Sequence, residues 1–168
     1  FIISQQNNIP RIINTVEKMS ELFGDQIRFG NRVYYTFPTA EKLKEITEQD
    51  LAPLKCGYRA KYIIDAVKKV NSGEINEKEL KNLDYISAKN KLLAIKGVGS
   101  KVADCICLFS LGHFDAFPTD TWIIKAMDRL YQVPQKEILE QSKQLFGNYS
   151  GIAQQYLFYF LRYNRSGM

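Results

Sequence analysis

Three cysteines and a single histidine are all that this 168-residue chain offers to a soft metal. Cys56, Cys105 and Cys107 lack paired spacing, and three thiols cannot complete the four-thiolate set of an iron–sulfur cluster. His113 stands alone, so the usual zinc sites have no ligands, and neither metal nor other cofactor is expected. An odd, unpaired set of cysteines fits free thiols in a reducing compartment. No apolar run approaches the roughly 20 residues that a membrane helix needs. No stretch reads as a secretory leader, so an intracellular protein without a membrane partner is expected. There is no low-complexity tract and no repeat of fixed period.

The hydrophobic share, 45%, is that of a globular protein. The length suffices for one ordinary domain or two small helical lobes. Lys and Arg number 23 against 18 Asp and Glu, a net charge of +5. That balance favours an anionic partner such as nucleic acid, although alone it is a weak signal.

Apolar residues recur at spacings of three and four through most of the chain, so the fold class expected is all-α. Asn8 caps a helix with Pro10 in its first turn, and Ile9, Ile12, Ile13, Val16, Met19 and Phe23 form one face until Gly24. Val33 to Phe37 reads as a short strand or an extended loop. Thr39 precedes a short helix through Ile46, and Thr47 with Asp50 forms a capping box before another. Further helices are expected over 58–72, 76–83, 87–95, 100–111, 120–131, 136–146 and 152–163. The helix 100–111 is apolar nearly all round and belongs at the centre.

The most informative segment is 95–120. Gly97-Val98-Gly99 joins two helices as a helix-hairpin-helix. The amides of Gly97, Gly99, Lys101 and Val102 lack intrahelical partners and carry the positive end of the helix dipole. A DNA phosphate satisfies them without sequence readout. A bare Gly-x-Gly is more often a tight turn. Here Leu92, Leu93 and Ile95 before it, and Lys96 and Lys101 around it, favour the phosphate. Lys101, in the first turn, is either an amine nucleophile for a sugar carbon or a phosphate-contacting lysine, and position alone does not separate the two. Asp120, 19 residues later, is a good N-cap for the next helix. A capping carboxylate stays ionised and suits the stabilisation of a cationic sugar.

Gly97-Val98-Gly99-Ser100-Lys101-Val102-Ala103-Asp104-Cys105-Ile106-Cys107-Leu108 resembles the hairpin of 8-oxoguanine DNA glycosylases, members of the helix-hairpin-helix, Gly/Pro-rich-loop, Asp superfamily. Pro118-Thr119-Asp120 is similar to that superfamily's loop and aspartate. Phe1 to Ile9, Gly57-Tyr58-Arg59-Ala60-Lys61-Tyr62, and Gly151-Ile152-Ala153-Gln154 with Leu157-Phe158 extend the likeness over nearly the whole chain. The resemblance implies a multi-helix glycosylase core acting as a monomer on double-stranded DNA that contains an oxidised purine. Lys101 would be the Schiff-base nucleophile and Asp120 the catalytic aspartate. Cys105 and Phe158 would face the flipped base, with Pro118 beside them, and Gln154 would bond its Watson–Crick edge. Asn7, Tyr58 and Arg59 match positions that fill the gap or contact the orphaned base, as base extrusion demands. Gln6 stands where the family often has asparagine, and Trp122 where it commonly has histidine.

These enzymes usually carry an N-terminal sheet-rich subdomain, which 1–168 does not supply. With its start on Phe1-Ile2-Ile3-Ser4, the chain reads as part of a longer protein. Two lobes are expected, about 9–115 with the hairpin at 87–111, and 1–8 with 116–168. The rival readings are a glycosylase for another damaged or mismatched base, a non-catalytic helix-hairpin-helix module, and an interaction domain.

Overall fold

The computed structural model describes residues 1–163. They divide into two compact units, one of Phe1–Asn76 with Ala94–Val98, the other of Glu77–Leu93 with the described chain from Gly99 onward. The expected grouping of 1–8 with 116–168 is not found. Ile2 and Ile3 pack on the core of the first unit, which draws the N-terminal segment there.

The first unit opens with a 3-10 turn, Ile2–Ser4, and helix α1, Ile9–Phe23. Asn8 caps α1 as expected, its side-chain oxygen accepting from the Arg11 amide at 3.0 Å. Strands β1 (Gln26–Phe29) and β2 (Arg32–Tyr35) pair antiparallel, with Ile27 opposite Tyr34 and Phe29 opposite Arg32. This hairpin is an exception within the helical fold. Its cue was the Gly30-Asn31 pair between two β-prone runs, with Gly30 at φ +59°. The helix expected over 39–46 is instead a run of turns, with the Leu43 and Ile46 amides reaching back three or four residues. The Thr47–Asp50 box forms, its Asp50 carboxylate accepting from the Thr47 amide at 2.9 Å, and leads to a 3-10 turn at Ala52–Leu54. Helix α2 is Arg59–Asn71. Met19, Leu43, Leu51, Leu54, Ile63 and Val67 make the core. At about 1.5–3 kcal/mol for each fully buried side chain, burial of this kind is what holds short helices together.

The second unit holds α3 (Glu77–Asn82), α4 (Tyr85–Leu92), α5 (Ser100–Ile106), α6 (Thr121–Tyr131), α7 (Ile138–Phe146) and α8 (Ser150–Tyr163). α4 begins earlier than Ser87 suggested, because Asp84 is the cap: its carboxylate accepts from the Ser87 amide at 3.1 Å and from the Ser87 hydroxyl at 2.6 Å. α5 does not run to Leu111 as one α-helix. Cys107–Leu111 is a π turn, a departure often found beside functional residues. Phe117, Ile123, Met127, Val133 and Ile138 form a buried cluster, with Leu157 and Phe158 of α8 packed against it. Gly151 lies inside α8, where its amide donates to Phe114 O at 2.8 Å and an added Cβ would stand 2.3 Å from Ala116 O. No helix among the described residues is long and apolar enough to cross a membrane.

Candidate active site

The two glycines of the hairpin turn differ in what they answer to. Gly97 sits at φ +80°, and a Cβ there would lie 2.2 Å from the Tyr62 ring, so the fold itself demands glycine. Its carbonyl accepts from Gln5 Nε2 at 2.6 Å. Gly99 has ordinary extended backbone, and a Cβ there would meet nothing within 4 Å. It is the N-cap residue of α5, and no side chain closes that end. The first α5 amide with a backbone acceptor in its own turn is Ala103, bonded to Gly99 O at 2.9 Å. The amides of Ser100, Lys101 and Val102 therefore begin a helix whose mouth is open.

Lys101 is exposed on the first turn, and Cys105 lies buried one turn on. Burial pushes the Cys105 thiol up, while the positive charge of Lys101 one turn earlier pulls it the other way. In the same unit Asp120 caps α6: its Oδ1 accepts the amides of Trp122 at 3.0 Å and Ile123 at 2.9 Å. Among the described residues Oδ2 accepts no hydrogen bond, and the residue is half-buried, so one carboxylate oxygen is held and the other is spare. The cap read from the sequence is present in this geometry.

Pro118 is fully buried, and its carbonyl accepts from Gln154 Nε2 at 3.0 Å. Gln154 is only 3% exposed, and its Oε1 accepts from Gln155. Its amide is thus already engaged within the protein. Phe158, one turn further along α8, is half-buried, with the Arg162 guanidinium 5.8 Å from its ring centre. Trp122 keeps the Lys125 ammonium 6.0 Å from its ring, so a cation stands beside the indole.

In the first unit, Asn7 is held at both ends of its amide, donating to Ile3 O at 3.1 Å and accepting from the Asn8 amide at 3.0 Å. Tyr58 is 48% exposed and donates its hydroxyl to Gln6 Oε1 at 3.3 Å. Arg59 is drawn inward. It is 7% exposed, and its guanidinium donates to the carbonyls of Gln5, Gln6 and Cys56. It holds the 5–6 turn, in which Gln6 takes φ +44°.

Two residues with evident roles were missed. Gln5 had no signal beyond a polar run. Asp104 had one, a carboxylate in an otherwise apolar helix. It is 2% exposed, and its Oδ1 accepts from Tyr85 Oη at 2.6 Å and Lys89 Nζ at 2.8 Å. Burial, then the bond to Asp104, push the Tyr85 hydroxyl well above its ordinary range. Burial and the Asp104 charge push the Cys107 thiol up to about 11. A cavity of about 370 Å³ opens beside this cluster, lined by Tyr85, Lys89, Asp115, Phe117, Ser142 and Lys143 among others. None of the residues expected to face a base lines it.

Residues 1–148 match the family of HhH-GPD superfamily base excision DNA repair proteins. The chain belongs to that superfamily. A solved structure of Clostridium acetobutylicum 8-oxoguanine glycosylase/lyase, in complex with double-stranded DNA containing cytosine opposite 8-oxoG, superposes with a TM-score of 0.89 at 43% identity. It covers 97% of this chain and 57% of that one. The Saccharomyces cerevisiae N-glycosylase/DNA lyase is 37% identical over 79% of this chain and 39% of its own length. A Bacillus subtilis DNA-3-methyladenine glycosylase is 30% identical over 84% of this chain and 48% of its own. The chain thus spans about half the length of the relatives it matches.

Proposed function

We propose that this chain carries the lysine and aspartate of a bifunctional DNA glycosylase/AP lyase that removes 8-oxoguanine from duplex DNA. The observation that carries the reading lies on α5: an exposed Lys101 amine at the head of a helix that no side chain caps, one turn before the buried Cys105 thiol. The 43% identity to an 8-oxoguanine glycosylase/lyase supports the same substrate.

In this reading the open first turn of α5 and Gly99 receive a backbone phosphate of a single bound protein copy's duplex. The lesion is extruded, as chemistry on a stacked base requires. The Lys101 amine attacks C1′, and the C1′–N9 bond breaks with its electrons leaving on the base, which takes up a proton. The Asp120 carboxylate offsets the positive charge that builds on the sugar. Loss of the amine proton and ring opening give a Schiff base on Lys101. Removal of a C2′ proton then expels the 3′ phosphate by β-elimination. Cys105 and Phe158 bracket the base, and Gln154 exchanges its bond to Pro118 for one to the base edge. Asn7, Tyr58 and Arg59 fill the vacated stack or meet the orphaned base, and Arg59 also keeps the 5–6 turn in shape.

Borohydride trapping tests this. Native protein with duplex containing 8-oxoguanine should yield a covalent adduct, absent in Lys101→Gln. An adduct that survives in Lys101→Gln, or none with the lesion duplex, overturns the reading. A duplex containing 3-methyladenine in the same panel checks the other lesion class. Base release there without an adduct would favour that monofunctional chemistry.

A further inference from the structure

We propose that Asp104 is the positioning residue of this site: held by Tyr85 and Lys89 of α4, it fixes the rotation of α5 and so the direction of Lys101 and Cys105. The inference rests on the reading of Lys101 as nucleophile, and deepens it.

The geometry is specific. Asp104 follows Lys101 by three residues and precedes Cys105 by one. At 100° per residue, the three side chains fall within about a third of the helix circumference. Turning α5 by one side-chain position would therefore carry the amine and thiol away together. Tyr85 and Lys89 are four apart on α4, on one face, and both reach the same carboxylate oxygen. Two donors on one rigid helix, meeting one acceptor on another, allow a single rotation and a single register.

An apolar contact at this spot would tolerate sliding. A largely buried ion pair is no gain in stability over well-packed hydrophobic groups, and its best-attested use is to specify one arrangement. The need for such a device is local. α5 is short, is uncapped at its start and passes into a π turn at its end. The buried carboxylate is the directional, hydrogen-bonded contact along the α-helical stretch. Only Ala103, Asp104 and Cys105 of the α-helical stretch are buried, and of these Asp104 alone is charged.

The test measures three things on the full chain: trapping rate under single-turnover conditions, duplex affinity, and thermal melting. The variants are Tyr85→Phe, Asp104→Asn, Lys89→Arg and the charge-free pair Lys89→Met/Asp104→Leu. Displacing a reacting group by about 1 Å costs up to roughly 100-fold in rate. Tyr85→Phe and Asp104→Asn should trap about 10- to 100-fold more slowly at unchanged duplex affinity. Lys89→Arg should recover most of the rate. The apolar pair should melt near the native temperature yet trap as slowly as Asp104→Asn. Native-rate trapping by the apolar pair, or affinity that falls in step with rate, overturns the proposal.

An abasic duplex serves as a second substrate, because an exposed sugar aldehyde reports amine placement without base excision. If native protein traps on the abasic duplex but not on the lesion duplex, the function reading falls and this comparison still decides the positioning claim. A crystal structure of Asp104→Asn closes the remaining case. An α5 rotated so that Lys101 and Cys105 leave their native directions supports the proposal, and α5 unmoved overturns it.

Discussion

α5 and α6 start in opposite ways. α6 is closed by Asp120, whose carboxylate takes two amides of the first turn. α5 starts on a glycine with no side chain across its mouth and empty space where a Cβ would be. Elsewhere α1 and α4 follow the α6 pattern, with Asn8 and Asp84 as caps. Capping is the ordinary solution and is worth about 1 kcal/mol. A start left open beside a lysine forgoes that stabilisation and keeps its donors for an outside anion. Asp120 shows the complementary arrangement, since one oxygen satisfies the helix and the other accepts no hydrogen bond among the described residues.

The contrast can be broken at Asp120 first. Asn caps a helix about as well as Asp, so Asp120→Asn should keep its melting temperature while excision falls about 100- to 1,000-fold, the usual size of a lost electrostatic contact at a reacting centre. Single-turnover base release and a thermal melt read the two separately. Next, Gly99→Asp would give α5 the kind of start that α6 has. Melting should rise slightly, while duplex affinity drops tenfold or more and the salt dependence of binding loses about one unit of slope. Fluorescence anisotropy across a salt series checks this, and unchanged affinity would mean that α5 holds no phosphate. Asp120→Ala should lose about 1 kcal/mol in a denaturant melt, beyond any effect on rate.

The smallest effect concerns Asp84. Hydrogen bonds from the Ser87 hydroxyl and amide hold its carboxyl below the ordinary 3.8. Its contribution is therefore present above 3.8 and fades as pH falls through the lower folded value. Melts of native protein and Asp84→Asn should converge as the solution is acidified below about 4, and diverge near neutrality.

Much of this was legible before any coordinates. Asn8, Asp120 and the Gly97-Val98-Gly99 turn announce themselves through local rules of capping and φ, which need no tertiary information. The rest was hidden for two reasons. The β1–β2 hairpin has every strand residue exposed, so it carries no inside–outside pattern to read. The 39–46 segment has helical spacing but settles into turns, with Leu43 drawn into the core. Arg59 looks like a surface cation until the carbonyls of Gln5 and Gln6 arrive from 54 and 53 residues away. Asp104 reads as one polar interruption until α4 delivers Tyr85 and Lys89. Long-range partners decided Arg59 and Asp104, while the hairpin and the 39–46 turns are local structures.

Gly151 sets a practical boundary on redesign. A single methyl group there would strike the Ala116 carbonyl and Leu108, and would lever the head of α8 outward. Gln154 and Phe158 ride on that helix, so both would shift as one body. If the proposed reading holds, libraries that aim to retune lesion preference should vary 154 and 158 and leave 151 untouched, because at that position the search would be reshaping the mount and not the lens.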